Sequence, residues 1–210
     1  MIGADLSAWR PNTGTWKVVG DVLTDPANKK RLIARPGKGA IINGPKGKTG
    51  DIYSKKEFGD VEAHIEFMVS KGSNSGIYFQ GQYEIQIFDS WGVKKPKDSD
   101  CGGIYHRWDE KRNPKGFEGH RPRVNASFAP GKWQSFDVIF MAPKFDANGK
   151  KTANAVFEKV LHNGITVHEN VSLNAPTRGA HGPEKALGPI RLQGDHGPVA
   201  YRNIYIEELN

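Results

Sequence analysis

Apolar and polar residues alternate most regularly between Ser73 and Ser90, SNSGIYFQGQYEIQIFDS, and the alternation predicts a β-hairpin interrupted at Gly81. On the first arm Ile77 and Phe79 share one face, while Asn74, Gly76, Tyr78 and Gln80 share the other. On the second arm Ile85 and Ile87 are apolar, with Glu84 and Gln86 opposite. A three-residue loop of Gly81, Gln82 and Tyr83 pairs Phe79 with Ile85, Gln80 with Glu84 and Tyr78 with Gln86. A two-residue loop would set Phe79 against Glu84, because a slip of one residue turns every side chain to the other face. The predicted ribbon has one apolar side and one side carrying Asn74, Tyr78, Gln80, Glu84 and Gln86. Amides, a tyrosine and one carboxylate match a sugar-binding floor; the competing reading is a wet outer face.

The same period recurs elsewhere. Val61, Ala63, Ile65, Phe67 and Val69 share one face, with Glu62, His64, Glu66 and Met68 on the other. Short strands are also predicted at 16–19, 40–42, 103–105, 133–141, 189–193 and 201–208. Residues 155–161 and 165–168 flank Asn163-Gly164, the strongest short-range hairpin signal. No stretch shows a convincing helical period. Many short strands with turn signals predict an all-β fold, a two-sheet jelly-roll β-sandwich. The whole chain, 1–210, reads as a single domain with a long loop excursion at about 91–131. A loop of that length in a compact domain is commonly functional. It carries His106, Arg107, Trp108, Asp109 and His120.

Composition narrows the classes. The net charge of +7 raises nucleic acid, but the Lys and Arg residues are scattered and the densest group, Lys94, Lys95 and Lys97, lies in a Pro-containing loop. No nucleic-acid partner is therefore expected. The single Cys101 excludes an intrachain disulfide and a Cys-rich metal site. No apolar run approaches the roughly 18 residues of a membrane span. The opening MIGADLSAW lacks the layout of a secretory leader. Either the protein is cytoplasmic, or it is periplasmic or extracellular with its leader removed.

Several groups could carry chemistry. Arg191 and Gln193 oppose Ile190 and Leu192, and Gly194-Asp195-His196-Gly197 follows at the strand end. A His beside a carboxylate can be a general base, a metal ligand or a loop-stabilising hydrogen bond. Glu84 could be a general acid or base in a partly dry cleft. Asp89 has the opposite strand parity, so a capping role competes with one at the site. His162 and His168, flanking the Asn-Gly turn, read as surface residues. Arg202 shares the parity of Ile204 and Ile206, which marks a buried structural arginine or a bulge.

The segments NSGIYFQGQYEIQIFDSWG, NASFAPGKWQSFDVIFMAPKFDANGKK, VLHNGITVHENV and GPIRLQGDHGPVAYRNIYI together resemble the 3-keto-disaccharide hydrolase family. The resemblance runs from FGDVEAHIEFMVSKG to the C-terminal strand and weakens before about residue 37. It implies a concanavalin A-like sandwich and bacterial, usually exported proteins acting on oxidised glycosides. It carries over Asn74, Glu84, Gln86 and Asp89 from the first segment, and Gln193, Asp195, His196, Arg202 and Asn203 from the last.

A ketone at C3 of a sugar acidifies the hydrogen on C2. A base removes it, the enolate expels the C1 substituent, and water can then add back. Glu84, His196 and Asp195 are the catalytic candidates. Asn74, Tyr78, Gln86, Asp89, His106, Arg107, Trp108 and Gln193 are the expected sugar contacts. A divalent cation could hold the enolate, with His196 and either Glu84 or Asp195 as ligands, although no local ligand spacing supports it. Two alternatives stand beside the 3-keto-glycoside hydrolase or lyase. One is a non-catalytic carbohydrate-binding module. The other is a conventional glycosidase, which needs two carboxylates within about 5–10 Å.

Overall fold

The computed structural model describes residues 6–11 and 14–209 of the chain, so the first five residues of the N-terminal stretch lie outside the described residues. In chain order the strands are β1 (Lys17–Thr24), β2 (Leu32–Ile42), β3 (Ile52–Phe58), β4 (Val61–Val69), β5 (Asn74–Phe79), β6 (Tyr83–Phe88), β7 (Arg107–Trp108) and β8 (Gly116–Phe117). There follow β9 (Gln134–Met141), β10 (Lys144–Phe145), β11 (Lys151–Ala153), β12 (Ala155–His162), β13 (Ile165–Leu173), β14 (Gly188–Leu192) and β15 (Val199–Glu208). Among the described residues no helix is long and apolar enough to cross a membrane.

Two antiparallel sheets form the sandwich. One has seven strands in the order β1-β2-β15-β4-β9-β12-β13, the other four in the order β3-β14-β5-β6. Neighbours such as β2 and β15, or β14 and β5, are far apart in sequence, so the chain crosses repeatedly between sheets as in a jelly roll. The inward faces are the alternating apolar positions. Ile77, Phe79, Ile85, Ile87, Phe136, Val138, Ile190, Leu192 and Ile204 are all at most 2% exposed and share one cluster. Phe79, Phe140 and Phe157 meet with ring centroids 5.1 to 5.5 Å apart, close enough for aromatic pairing beyond simple area burial.

The central hairpin keeps its predicted faces but shifts its register by two residues. Ile77 pairs with Ile85, Tyr78 with Glu84 and Phe79 with Tyr83, leaving Gln80, Gly81 and Gln82 as the loop. Gln80 and Gly81 adopt φ values of 53° and 67°, which start the turn one residue early. The gain is at Tyr83, whose ring is fully buried 5.5 Å from Phe140. An even-numbered shift preserves inside and outside, so hydrophobicity alone cannot distinguish the two registers. The consequence is chemical: Glu84 faces Tyr78, not Gln80.

Three further expectations change. Strand β3 was not predicted; its middle, Lys55-Lys56-Glu57, is exposed and breaks the apolar alternation. Met68 is buried rather than on a polar face, in a second small cluster with Val22, Leu32 and Ala200. His162 and His168 are buried, at 0% and 3% exposure, not superficial. His162 Nε2 meets Gln134 Oε1 at 3.0 Å beside Phe136, and His168 Nε2 meets the Gly102 carbonyl at 2.7 Å. The cover on His168 comes from the long excursion, a tertiary event that strand parity cannot report. At Arg202 the bulge reading holds: the β15–β4 register shifts between Arg202 and Tyr205, and Asn203 has φ 46°.

Candidate active site

The outward face of the four-stranded sheet builds the site from cross-strand rows. Arg191 on β14 lies opposite Tyr78 on β5, which lies opposite Glu84 on β6. In the next row Gln193 N–H donates to the Gly76 carbonyl, and Gly76 pairs with Gln86. Asn74 continues the same face. Sheet faces without cover are wet, yet Tyr78, Glu84, Gln86 and Arg191 are only 2 to 6% exposed. Two segments cover them. The 91–131 excursion is stitched along β6 through Gly102, Gly103 and Tyr105, and residues 177–187 cross the hairpin end as a strap.

Between these covers a cavity of about 320 Å³ opens over the floor. Asn74, Glu84, Gln86 and Gln193 form its base, while Tyr105, Arg178 and His196 stand around it. The structure therefore brings together Glu84 and His196, which are more than a hundred residues apart, with Gln86 and Gln193 in the same cavity. Asn74 Oδ1 and Gln86 Oε1 are buried acceptors with no partner among the described residues, so a bound hydroxyl or amine donor could satisfy both.

Glu84 is shaped by dehydration. Burial pushes its carboxyl up to about 8, opposed by a hydrogen bond with Tyr78 and by the Arg191 charge, and reinforced by Asp51. Gly76 makes the space, since a Cβ there would lie 2.1 Å from Glu84 Oε1. A carboxyl that takes or gives a proton near neutrality is a fitting acid–base group. His196 sits on the turn after β14, half-exposed, with Nδ1 bonded to the Asp195 carboxylate. That bond orients the ring and leaves Nε2 as the nitrogen able to serve a ligand. Asp195 is not part of the cavity wall, so its place is behind His196.

The remaining predicted contacts lie elsewhere. Asp89 accepts from the Gly72 and Trp91 backbone N–H groups, a capping role set by its opposite parity. The excursion does reach the cavity, but through Tyr105 rather than His106, Arg107 or Trp108. His106 stacks behind Tyr105 at 4.2 Å and pairs with Asp98. Trp108 lies 3.8 Å beneath the Arg178 guanidinium, and so backs a wall residue. Arg107 turns away to Glu118 and Phe117. Arg202 and Asn203 bind Glu66 on the other sheet.

Sequence reasoning missed Asp51, Tyr105, Arg178 and Gly179. Asp51 precedes the unpredicted β3 and binds Arg191. The strap residues lie in a polar loop without periodicity; only the Gly and Arg content of Thr177-Arg-Gly-Ala180 hints at close approach to a ligand. Among the described residues no three His, Cys, Asp or Glu side chains converge as a metal site. No step below is routed through the possible divalent cation.

A family model described as the 3-keto-alpha-glucoside-1,2-lyase-like domain matches residues 2–207. A crystal structure from Parabacteroides distasonis, described as a "putative glycosyl hydrolase", is 31% identical, with 99% of this chain and 81% of that chain covered at a TM-score of 0.69. A second so described from that organism is 20% identical, covering 93% of this chain and all of that one, with a TM-score of 0.56. A third, 15% identical, covers 99% and 92% with a TM-score of 0.60. These last two share the fold. No curated protein matches the chain.

Proposed function

The chain belongs to the 3-keto-disaccharide hydrolase family, whose domain is described as 3-keto-alpha-glucoside-1,2-lyase-like, and from that premise we propose that its cavity cleaves 3-keto-glycosides by elimination across C1 and C2. Membership makes it a carbohydrate-active protein of the glycosyl hydrolase-like kind. The observation that carries the finer reading is the single carboxyl. Among the described residues only Glu84 supplies a carboxyl to the cavity wall, whereas cleavage of an unactivated glycoside uses two, about 5–10 Å apart.

In this reaction the Glu84 carboxylate takes the C2 proton, which the neighbouring ketone has acidified. The C2–H electron pair becomes the enolate, whose charge rests on the C3 oxygen. Arg178 and Tyr105 stand on the wall as donors for that oxygen. The enolate then re-forms the ketone, a C1–C2 double bond appears and the C1–O bond breaks. His196 hands the departing oxygen its proton. Water added across the double bond would convert the lyase product into the hydrolysis product. Asn74 Oδ1 and Gln86 Oε1, both unpartnered among the described residues, accept from sugar hydroxyls.

A base whose pKa is about 8 is about one-tenth ionised at pH 7, so the fraction of Glu84 ready to take a proton climbs with pH through 8. The test incubates purified protein with matched glucosides and their 3-keto forms and follows aglycone release. Release from the keto form alone supports the reading. Equal release from the unmodified glucoside points to a conventional glycosidase, and binding without release points to a carbohydrate-binding module.

A further inference from the structure

The Asp51–Arg191 pair, with Arg191 buried and Asp51 partly so, lies beside the candidate base without touching it. Arg191 Nε and a terminal nitrogen meet Asp51 Oδ2 at 2.6 and 2.5 Å, and Nη1 donates to the Gly179 carbonyl at 2.6 Å. Asp51 Oδ1 accepts the Gly194 N–H at 2.8 Å. The guanidinium lies 4.2 Å from the Tyr78 ring, and Tyr78 separates it from Glu84 in the cross-strand row. One ion pair therefore ties together the strap at Gly179, the start of the turn that carries His196, and the tyrosine that faces Glu84 across the strands.

We propose that Asp51 and Arg191 are positioning residues for the reaction assigned above, and that Asp51 occupies the guanidinium so that Glu84 has no counter-ion of its own. The groups facing Glu84 support this from every side. They are Tyr78 on β5, Arg191 on β14, Asp51 before β3, Tyr105 on the excursion, Arg178 on the strap and His196 after β14. Arg191 is the buried cation among them, and its donors go to Asp51 and Gly179. An uncommitted guanidinium in the same cross-strand row would favour the ionised form of Glu84 and weaken it as a base. With Asp51 present, the Arg191 attraction and the Asp51 repulsion oppose each other at the carboxyl, and burial prevails.

The variants Asp51→Asn and Arg191→Gln separate this role from simple scaffolding. Asp51→Asn keeps an acceptor for Gly194 while freeing the guanidinium, so Glu84 should titrate about one unit lower. Arg191→Gln removes the attraction, so Glu84 should titrate higher. The readout is the infrared carbonyl band of the protonated carboxyl, identified by its loss in Glu84→Gln and followed against pH without substrate. Opposite displacements in the two variants support the proposal; if one variant does not fold, the shift in the other decides. An unshifted band in the folded variants overturns it. Because no substrate is present, displaced bands together with no turnover of 3-keto glucosides would refute the assigned reaction while leaving intact the pair's effect on the Glu84 carboxyl.

Discussion

Substituting Gly76 by alanine adds one methyl group to the cavity floor and changes no titratable group. Its Cβ would fall 2.1 Å from Glu84 Oε1, 2.9 Å from Cδ and 3.0 Å from Cγ, where ordinary contact begins at 3.4 Å. The carboxyl must therefore retreat by about an ångström. It has little room to do so, being 3% exposed and set against Tyr78 in the neighbouring strand. A misplacement of that size costs on the order of 10²-fold in rate. The fold should tolerate the change, because Gly76 lies in a strand and is not among the glycines with positive φ. Reduced freedom of the unfolded chain offsets part of the strain, by about 0.4–1 kcal/mol. Expected, then, is a thermal midpoint within a few degrees of the parent and initial rates on a 3-keto glucoside roughly 10²-fold lower. Parent-like turnover in the folded variant would refute the placement of Glu84 as the reacting group.

Other outcomes follow from the same residues. Folding stability should peak near pH 6.5. Burial pushes His162 and His168 down to about 4, so their contribution is complete above 6.5, their ordinary value, and drains as pH falls towards 4. Glu84, pushed up to about 8, works the other way: its contribution is full below the ordinary 4.5 and is lost as pH rises to about 8. Each group changes the slope by up to about 1.4 kcal/mol per pH unit, so two histidines outweigh one glutamate below 6.5 and the glutamate acts alone above it. Urea titrations across pH 5 to 8 check this, and a decline above 6.5 that persists in Glu84→Gln contradicts it. Trp108→Ala removes the face under Arg178 and should raise KM for a 3-keto glucoside more than it alters thermal stability, since Trp108 lies at the surface. Unchanged KM and kcat would remove Trp108 from the account.

The fold was legible wherever one face of a strand meets the core. Ile77, Phe79, Ile85 and Ile87 alternate with polar neighbours, and burial follows the alternation. Strand β3 was hidden because its exposed Lys55-Lys56-Glu57 stretch supplies no apolar period. The site was legible in part for the same reason. Parity put Glu84, Gln86 and Gln193 on one face, and the sheet order then placed them in one cavity. Parity says nothing about what covers that face. Tyr105, Arg178 and the burial of His168 depend on how the excursion and the strap lie across it, and Asp51 on a pairing with Arg191 140 residues away.

The central claim, proton removal from C2 by Glu84, is tested most directly by running the reaction on a 3-keto glucoside in deuterium oxide and locating deuterium in the sugar product. Elimination followed by hydration must install one deuterium at C2, because that carbon loses its proton and regains one from solvent. The account predicts that the sugar released by the parent protein has lost its C2 hydrogen, as the C1–C2 unsaturated product or, after hydration, as C2-deuterated sugar, at a rate matching aglycone release, with both lost together in Glu84→Gln by about 10²–10⁴-fold. Aglycone release that leaves hydrogen at C2, or that survives intact in Glu84→Gln, would contradict it.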